Sequence, residues 1–156
     1  MNRIRAKIAK ITKSGAVALV KFESLESLLK SSGDSYESSE SLSDSANQTS
    51  ANPAIFSAVM LDFADNLAQG NECNVIFKES EVMIATLDSR VSARNCFESR
   101  IDKIQYDEIF ARIFLDFDGT QITALITKEA SFALNLKVGD EVLWFVKSNE
   151  VMVEFK

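Results

Sequence analysis

Histidine is absent from this 156-residue chain, which removes the commonest general base and the commonest zinc ligand. Cysteine appears only as Cys73 and Cys96, too far apart for any metal-type spacing, and both read as small apolar packing residues in a reduced compartment. No apolar run approaches the length of a membrane span. None follows Arg3, Arg5 and Lys7 in the way a signal peptide requires. These absences predict a soluble, cytoplasmic protein with no membrane partner. Basic excess is missing as well: 17 Lys and Arg stand against 23 Asp and Glu. Nucleic-acid binding needs a basic face, or aromatics set among basic residues, and neither pattern is present, so no nucleic-acid partner is expected.

The chain has 46% hydrophobic residues, enough for a packed core, and an uneven charge. Between Glu23 and Asn52 six acids face one base, Lys30, so this stretch alone carries −5 of the total of −6. It also holds eleven serines and little to bury beyond Leu25, Leu28 and Leu29. Low hydrophobicity with net charge predicts a solvated, disordered insertion over about residues 24–52, ending near Pro53, the only proline.

On either side of the insertion the apolar residues alternate. Ile4, Ala6 and Ile8, then Ile11 after a one-residue slip, then Val17, Leu19 and Phe22 predict a hairpin of strands Ile4–Ile11 and Ala16–Phe22. Strands follow at Ile55–Leu61, Cys73–Phe77 and Glu81–Leu87, with a short helix over Asp62–Leu67. The second half repeats the order: strands Phe97–Gln105, Ile109–Phe117 and Gln121–Thr127, a helix over Lys128–Leu136, then strands Glu141–Val146 and Val151–Phe155. Residues 66–83 share eight identities in 18 positions with residues 135–152, where about one is expected by chance. Upstream, Asn2, Ile8, Lys10 and Ile11 match Asn95, Ile101, Lys103 and Ile104 at an offset larger by 24 residues, which the insertion accounts for. The expected organisation is two homologous domains, 1–87 and 88–156. The expected class is all-β with one short helix per repeat, as two tandem five-stranded barrels of the oligonucleotide/oligosaccharide-binding type.

The segment Val91-Ser92-Ala93-Arg94-Asn95 opens the second repeat. On a strand, its hydroxyl and guanidinium would share one face. Ser92-Ala93-Arg94-Asn95, with Phe97, Ser99 and Ile101 after it, resembles the opening strand of the molybdate-binding Mop (TOBE-like) family. Ser14-Gly15-Ala16-Val17 is similar to that family's Gly-Ala-Val hairpin, and Ile122–Glu129 to its third strand and helix entry. Leu136–Val142 and Val146–Met152 resemble its closing hairpin. The resemblance covers residues 92–155, and residues 1–85 apart from the insertion.

Molybdate and tungstate are tetrahedral dianions that carry no proton at neutral pH, so a selective pocket can be built from donors alone. The second repeat offers Ser92, Arg94, Thr127, Lys128, Lys147 and Ser148. Thr127 stands where a strand runs into a helix, a place where backbone N–H groups face an anion. Three or four charge-assisted bonds of about 1.5–3 kcal/mol each suffice for micromolar or tighter binding. By resemblance the ligand contacts fall on Ser92, Arg94, Thr127, Lys147 and Ser148, while Ala130 replaces a serine common in the family. Each residue also has a plainer reading: Arg94 and Lys147 as solvated strand charges, Thr127 as a helix cap. The first repeat departs further. Met1 stands opposite Arg94, Ala58 opposite Thr127, Leu61 opposite Ala130 and Glu79 opposite Ser148, and only Lys78 survives as a donor.

The resemblance implies a non-enzymatic protein that binds molybdate or tungstate for storage, buffering or sensing. It also implies a homo-oligomer, trimer or dimer, with the oxyanion at subunit interfaces. The alternative is a regulatory module that reports the oxyanion level to a partner protein in trans.

Overall fold

The computed structural model describes residues 1–26, 53–63 and 67–155. The Ser-rich insertion from residue 27 onward, and residues 64–66 of the helix expected over Asp62–Leu67, lie outside these ranges. The alternation becomes ten strands: β1 (Asn2–Ser14), β2 (Val17–Ser24), β3 (Ile55–Leu61), β4 (Glu72–Phe77), β5 (Met83–Ala85), β6 (Asn95–Tyr106), β7 (Phe110–Phe117), β8 (Thr120–Thr127), β9 (Glu141–Val146) and β10 (Met152–Phe155). A helix, α1 (Lys128–Ala133), follows β8. The chain is thus all-β with a short helix, in two five-stranded curled sheets.

The slip read from the sequence is a bulge present in both repeats. The β1–β2 register shifts between Ile8 and Lys10, and the β6–β7 register between Ile101 and Lys103. An extra residue there sharpens the strand's bend and lets the sheet curl. The bulge is pinned identically each time: Gly70 N–H donates to the Ile8 carbonyl at 2.7 Å, and Gly139 N–H to the Ile101 carbonyl at 2.8 Å. Both glycines have positive φ, 92° and 97°, a conformation that a side chain would strain. At Asp118-Gly119, φ is positive at both residues, as a two-residue hairpin needs to match the strand twist.

The sheets do not respect a boundary at 87/88. One runs β10-β4-β1-β2-β3 and the other β5-β9-β6-β7-β8, so each repeat receives its fifth strand from the other. Met152–Phe155 pairs antiparallel with β4, and Met83–Ala85 with β9. The strand expected at Glu81–Leu87 is shorter because Glu79–Glu81 forms a 3-10 turn, and Ser148–Glu150 does the same before β10. The expected helix Lys128–Leu136 ends at Ala133, with Asn135 at φ 54° turning the chain out.

Two further ties join the repeats. Strands β3 and β8 are sheet edges, whose unpaired N–H and C=O groups need partners when buried. The Asn95 side chain accepts from Ser57 N–H at 2.6 Å and donates to Ser57 C=O at 2.9 Å. Asn2 serves Thr123 in the same way, at 2.8 and 2.9 Å. Beneath these clamps lies one core drawn from both halves. Phe56 packs on Phe97 with centroids 4.6 Å apart, Phe97 on Trp144 at 5.0 Å, and Phe77 on Trp144 at 5.8 Å. The buried Trp144 indole donates to Ser99 Oγ at 3.0 Å, so no polar atom of that ring is stranded.

Candidate functional site

Ser92, Ala93 and Arg94 precede β6 as an irregular segment rather than as its opening strand. The expected alternation nevertheless holds: Ala93 is buried while Ser92 and Arg94 are exposed. The β6–β9 ladder ends at the pair Asn95 and Val146, so Arg94 and Lys147 leave the sheet side by side. Because Asn95 is clamped to Ser57, β3 of the first repeat lies alongside and brings Val59 to the same place.

The outcome is an open depression of about 380 Å³ lined by Val59, Ser92, Ala93, Arg94, Lys147, Ser148 and Asn149. It contains two cations and two hydroxyls, and among the described residues no carboxylate lines it. Among the described residues neither cation is in an ion pair. The Arg94 guanidinium donates only to main-chain carbonyls of its own loop, to Val91 at 3.1 Å and Ser92 at 3.4 Å. Burial pushes the neighbouring Cys96 thiol above its ordinary value, partly offset by Arg94, so it adds no negative charge at neutral pH. Val59 and Asn149 were not anticipated. The first comes from the other repeat, held alongside by the Asn95–Ser57 clamp and the packing of Phe56 on Phe97.

Thr127 and Lys128 lie elsewhere. They line a second, largely apolar groove with Glu108, Ile109, Glu129, Phe132 and Ala133, which shares no residue with the first depression. Thr127 Oγ1 accepts from Ala130 N–H at 3.0 Å and so caps α1, but its hydroxyl hydrogen stays available to a ligand. Lys128 Nζ sits 5.9 Å above the Phe132 ring. With only six residues, α1 brings local N–H groups rather than the dipole of a long helix.

The strand registers correct one alignment of the repeats. Ile8 pairs with Phe22, and Phe22 with Phe56; Ile101 pairs with Leu115, and Leu115 with Ile122. Phe56 therefore corresponds to Ile122, Ser57 to Thr123 and Leu61 to Thr127. Ala58 corresponds to Ala124, not to Thr127, and both are fully buried. The earlier placement extended a constant offset through a segment that is three residues shorter in the first repeat. The first repeat still presents no hydroxyl opposite Thr127. Lys78 is exposed, and it begins its 3-10 turn with the same backbone as Lys147: φ −73°, ψ 145° against φ −68°, ψ 148°.

Known proteins resemble this chain in sequence and in fold. The TOBE domain family matches residues 91–153. The chain is 34% identical over 68 residues to a molybdenum-pterin-binding protein, MopB, of Rhodobacter capsulatus; the match takes in 43% of the chain and 25% of that protein's length. In three dimensions it superposes on ModG, a cytoplasmic molybdate-binding protein solved with molybdate bound, with a TM-score of 0.77 at 21% identity. That superposition covers 99% of this chain and 96% of ModG.

Proposed function

We propose that this protein binds molybdate or tungstate in the cytoplasm, to store or buffer it; the match of residues 91–153 to the TOBE domain, the likeness to MopB and the ModG-like fold support this reading. The observation that carries the reading is the depression holding Ser92, Arg94, Lys147 and Ser148, with no carboxylate among its described lining residues. Protonated phosphate needs an acceptor, for which the described lining offers neutral hydroxyl and amide oxygens rather than a carboxylate. A permanently deprotonated dianion meets two positive charges and two hydroxyl donors. In this reading the residues bind and orient the oxyanion.

Thr127 and Lys128 complete the donor set when the groove of one copy meets the depression of another. Ile109 and Phe132, 64% and 61% exposed, flank that groove and give such a contact apolar area to bury. This supports a closed homo-oligomer, dimer or trimer, with the oxyanion between subunits. The same apolar groove also suits a second reading, a regulatory module that reports the oxyanion level to a partner protein in trans.

Calorimetric titration with molybdate, tungstate, sulfate and phosphate, with the oligomer's mass measured by light scattering, tests the reading. Molybdate and tungstate should bind with micromolar or tighter affinity, sulfate and phosphate much less tightly. Equal affinity for all four would remove the proposed selectivity. A co-purifying protein in place of the homo-oligomer would favour the second reading.

A further inference from the structure

The first repeat keeps the 3-10 turn that borders the donor depression while changing its charges. Two positions differ most. Glu79 stands on its 3-10 turn where Ser148 stands on the other. On β7, Arg112 occupies the position that Leu19 holds on β2, by the same correspondence that pairs Phe22 with Leu115. These two departures meet. Glu79 Oε1 is bound by Arg112 Nη1, and Glu79 Oε2 lies 3.2 Å from the Met1 amine, Met1 being the counterpart of Arg94. Arg112 also lines a depression of about 390 Å³ with Gln105, Tyr106, Asp107, Phe110 and Leu125, the last corresponding to Val59. Cations thus persist at the counterpart position, and their partner, Glu79, belongs to the chain.

We infer that Glu79 is a tethered anion at this counterpart site, its carboxylate taking the place of a bound oxyanion, so that each chain binds one dianion rather than two. This deepens the oxyanion reading above and rests on it. A free dianion would have to displace a carboxylate held on both oxygens and covalently present at high effective concentration. It would then remain beside that negative charge.

Molybdate titrations of the wild type, Glu79→Ser and Glu79→Gln, expressed per chain, test the inference. The serine restores the residue found at position 148, and the glutamine keeps volume while removing charge, so one variant serves if the other misfolds by circular dichroism. The expected result is one molybdate per wild-type chain and two per variant chain. Adding Arg112→Leu to Glu79→Ser should return the count to one. Two sites in the wild type, or an unchanged count in both folded variants, would overturn the tethered-anion inference alone. An absence of binding by all the proteins would overturn the oxyanion reading and this inference with it.

Discussion

Asn95 and Ser57 close a two-bond ring, 2.6 Å from the serine N–H and 2.9 Å to its carbonyl, across the line between the repeats. Both residues are buried, at 0% and 2% exposure, so neither peptide group has water as a substitute partner. Asn95→Ala should cost about 1–3 kcal/mol for each orphaned group, read by urea denaturation. It should also weaken molybdate, since Arg94 is the next residue. Asn2→Ala, which breaks the matching clamp on Thr123, should lower stability comparably and affect affinity less. Equal affinity losses in the two variants would show that the clamp acts through general stability rather than by placing the Arg94 loop.

Arg94 and Thr127 should separate by their effects on stability. Among the described residues Arg94 donates hydrogen bonds only to its own loop carbonyls, so Arg94→Ala should change stability by no more than about 0.5 kcal/mol while weakening the dianion by about 1–3 kcal/mol. Thr127→Ala loses a helix cap as well, at about 0.5–2 kcal/mol of stability. Thr127→Asp provides the control: aspartate caps as well as threonine but repels a dianion, so α1 should persist while binding falls. Lys78→Ala should matter much less than Arg94→Ala. The reverse order would move the site to the first repeat.

Strand exchange makes a prediction about dissection. Residues 1–87 alone lack β10 beside β4, and residues 88–156 alone lack β5 beside β9. Neither half should give a cooperatively unfolding monomer, and mixing the two should restore a sharp transition. Cooperative monomeric melting of an isolated half would mean that the borrowed strand is dispensable.

The Ser-rich insertion leaves from one end of a ladder and returns to it. Glu23 pairs with Ile55, and Ser24 N–H donates to the Ala54 carbonyl at 2.9 Å. A short Gly-Ser link in place of residues 27–50 can therefore close the gap without disturbing the register. Loop closure changes by only about 0.6 kcal/mol per doubling of length, so melting temperature and affinity should stay nearly unchanged. A large loss of either would show that the removed residues pack on the sheets.

The parts legible in the sequence were those that a strand writes in its own residues. Alternation placed the strands, the break between Ile8 and Ile11 marked the bulge, and Asp118-Gly119 named its turn. Pairing partners are not written that way. Met83–Ala85 carries an ordinary strand pattern, and nothing in those residues says that they join Leu143–Phe145 rather than their own repeat. Ser92, Arg94, Lys147 and Ser148 are grouped in the sequence only by resemblance to the Mop family; in the structure they meet because the ends of β6 and β9 are neighbours in one ladder. Val59 could not be grouped with them, because it reaches the depression through a side-chain clamp to another sheet. The placement of Ala58 failed for a related reason: a deletion beyond β3 shifts the offset, and only hydrogen-bond register reveals where.

The exchanged strands also fix what this chain is free to lose. In a tandem array of independent domains, a copy without ligand donors can be excised or left to decay. Here the first repeat, with Leu61 and Glu79 where the second has Thr127 and Ser148, still supplies β5 to its neighbour's sheet and Val59 to its neighbour's depression. Its ligand chemistry can drift while its architecture cannot, and the two halves inherit their stability as a single unit.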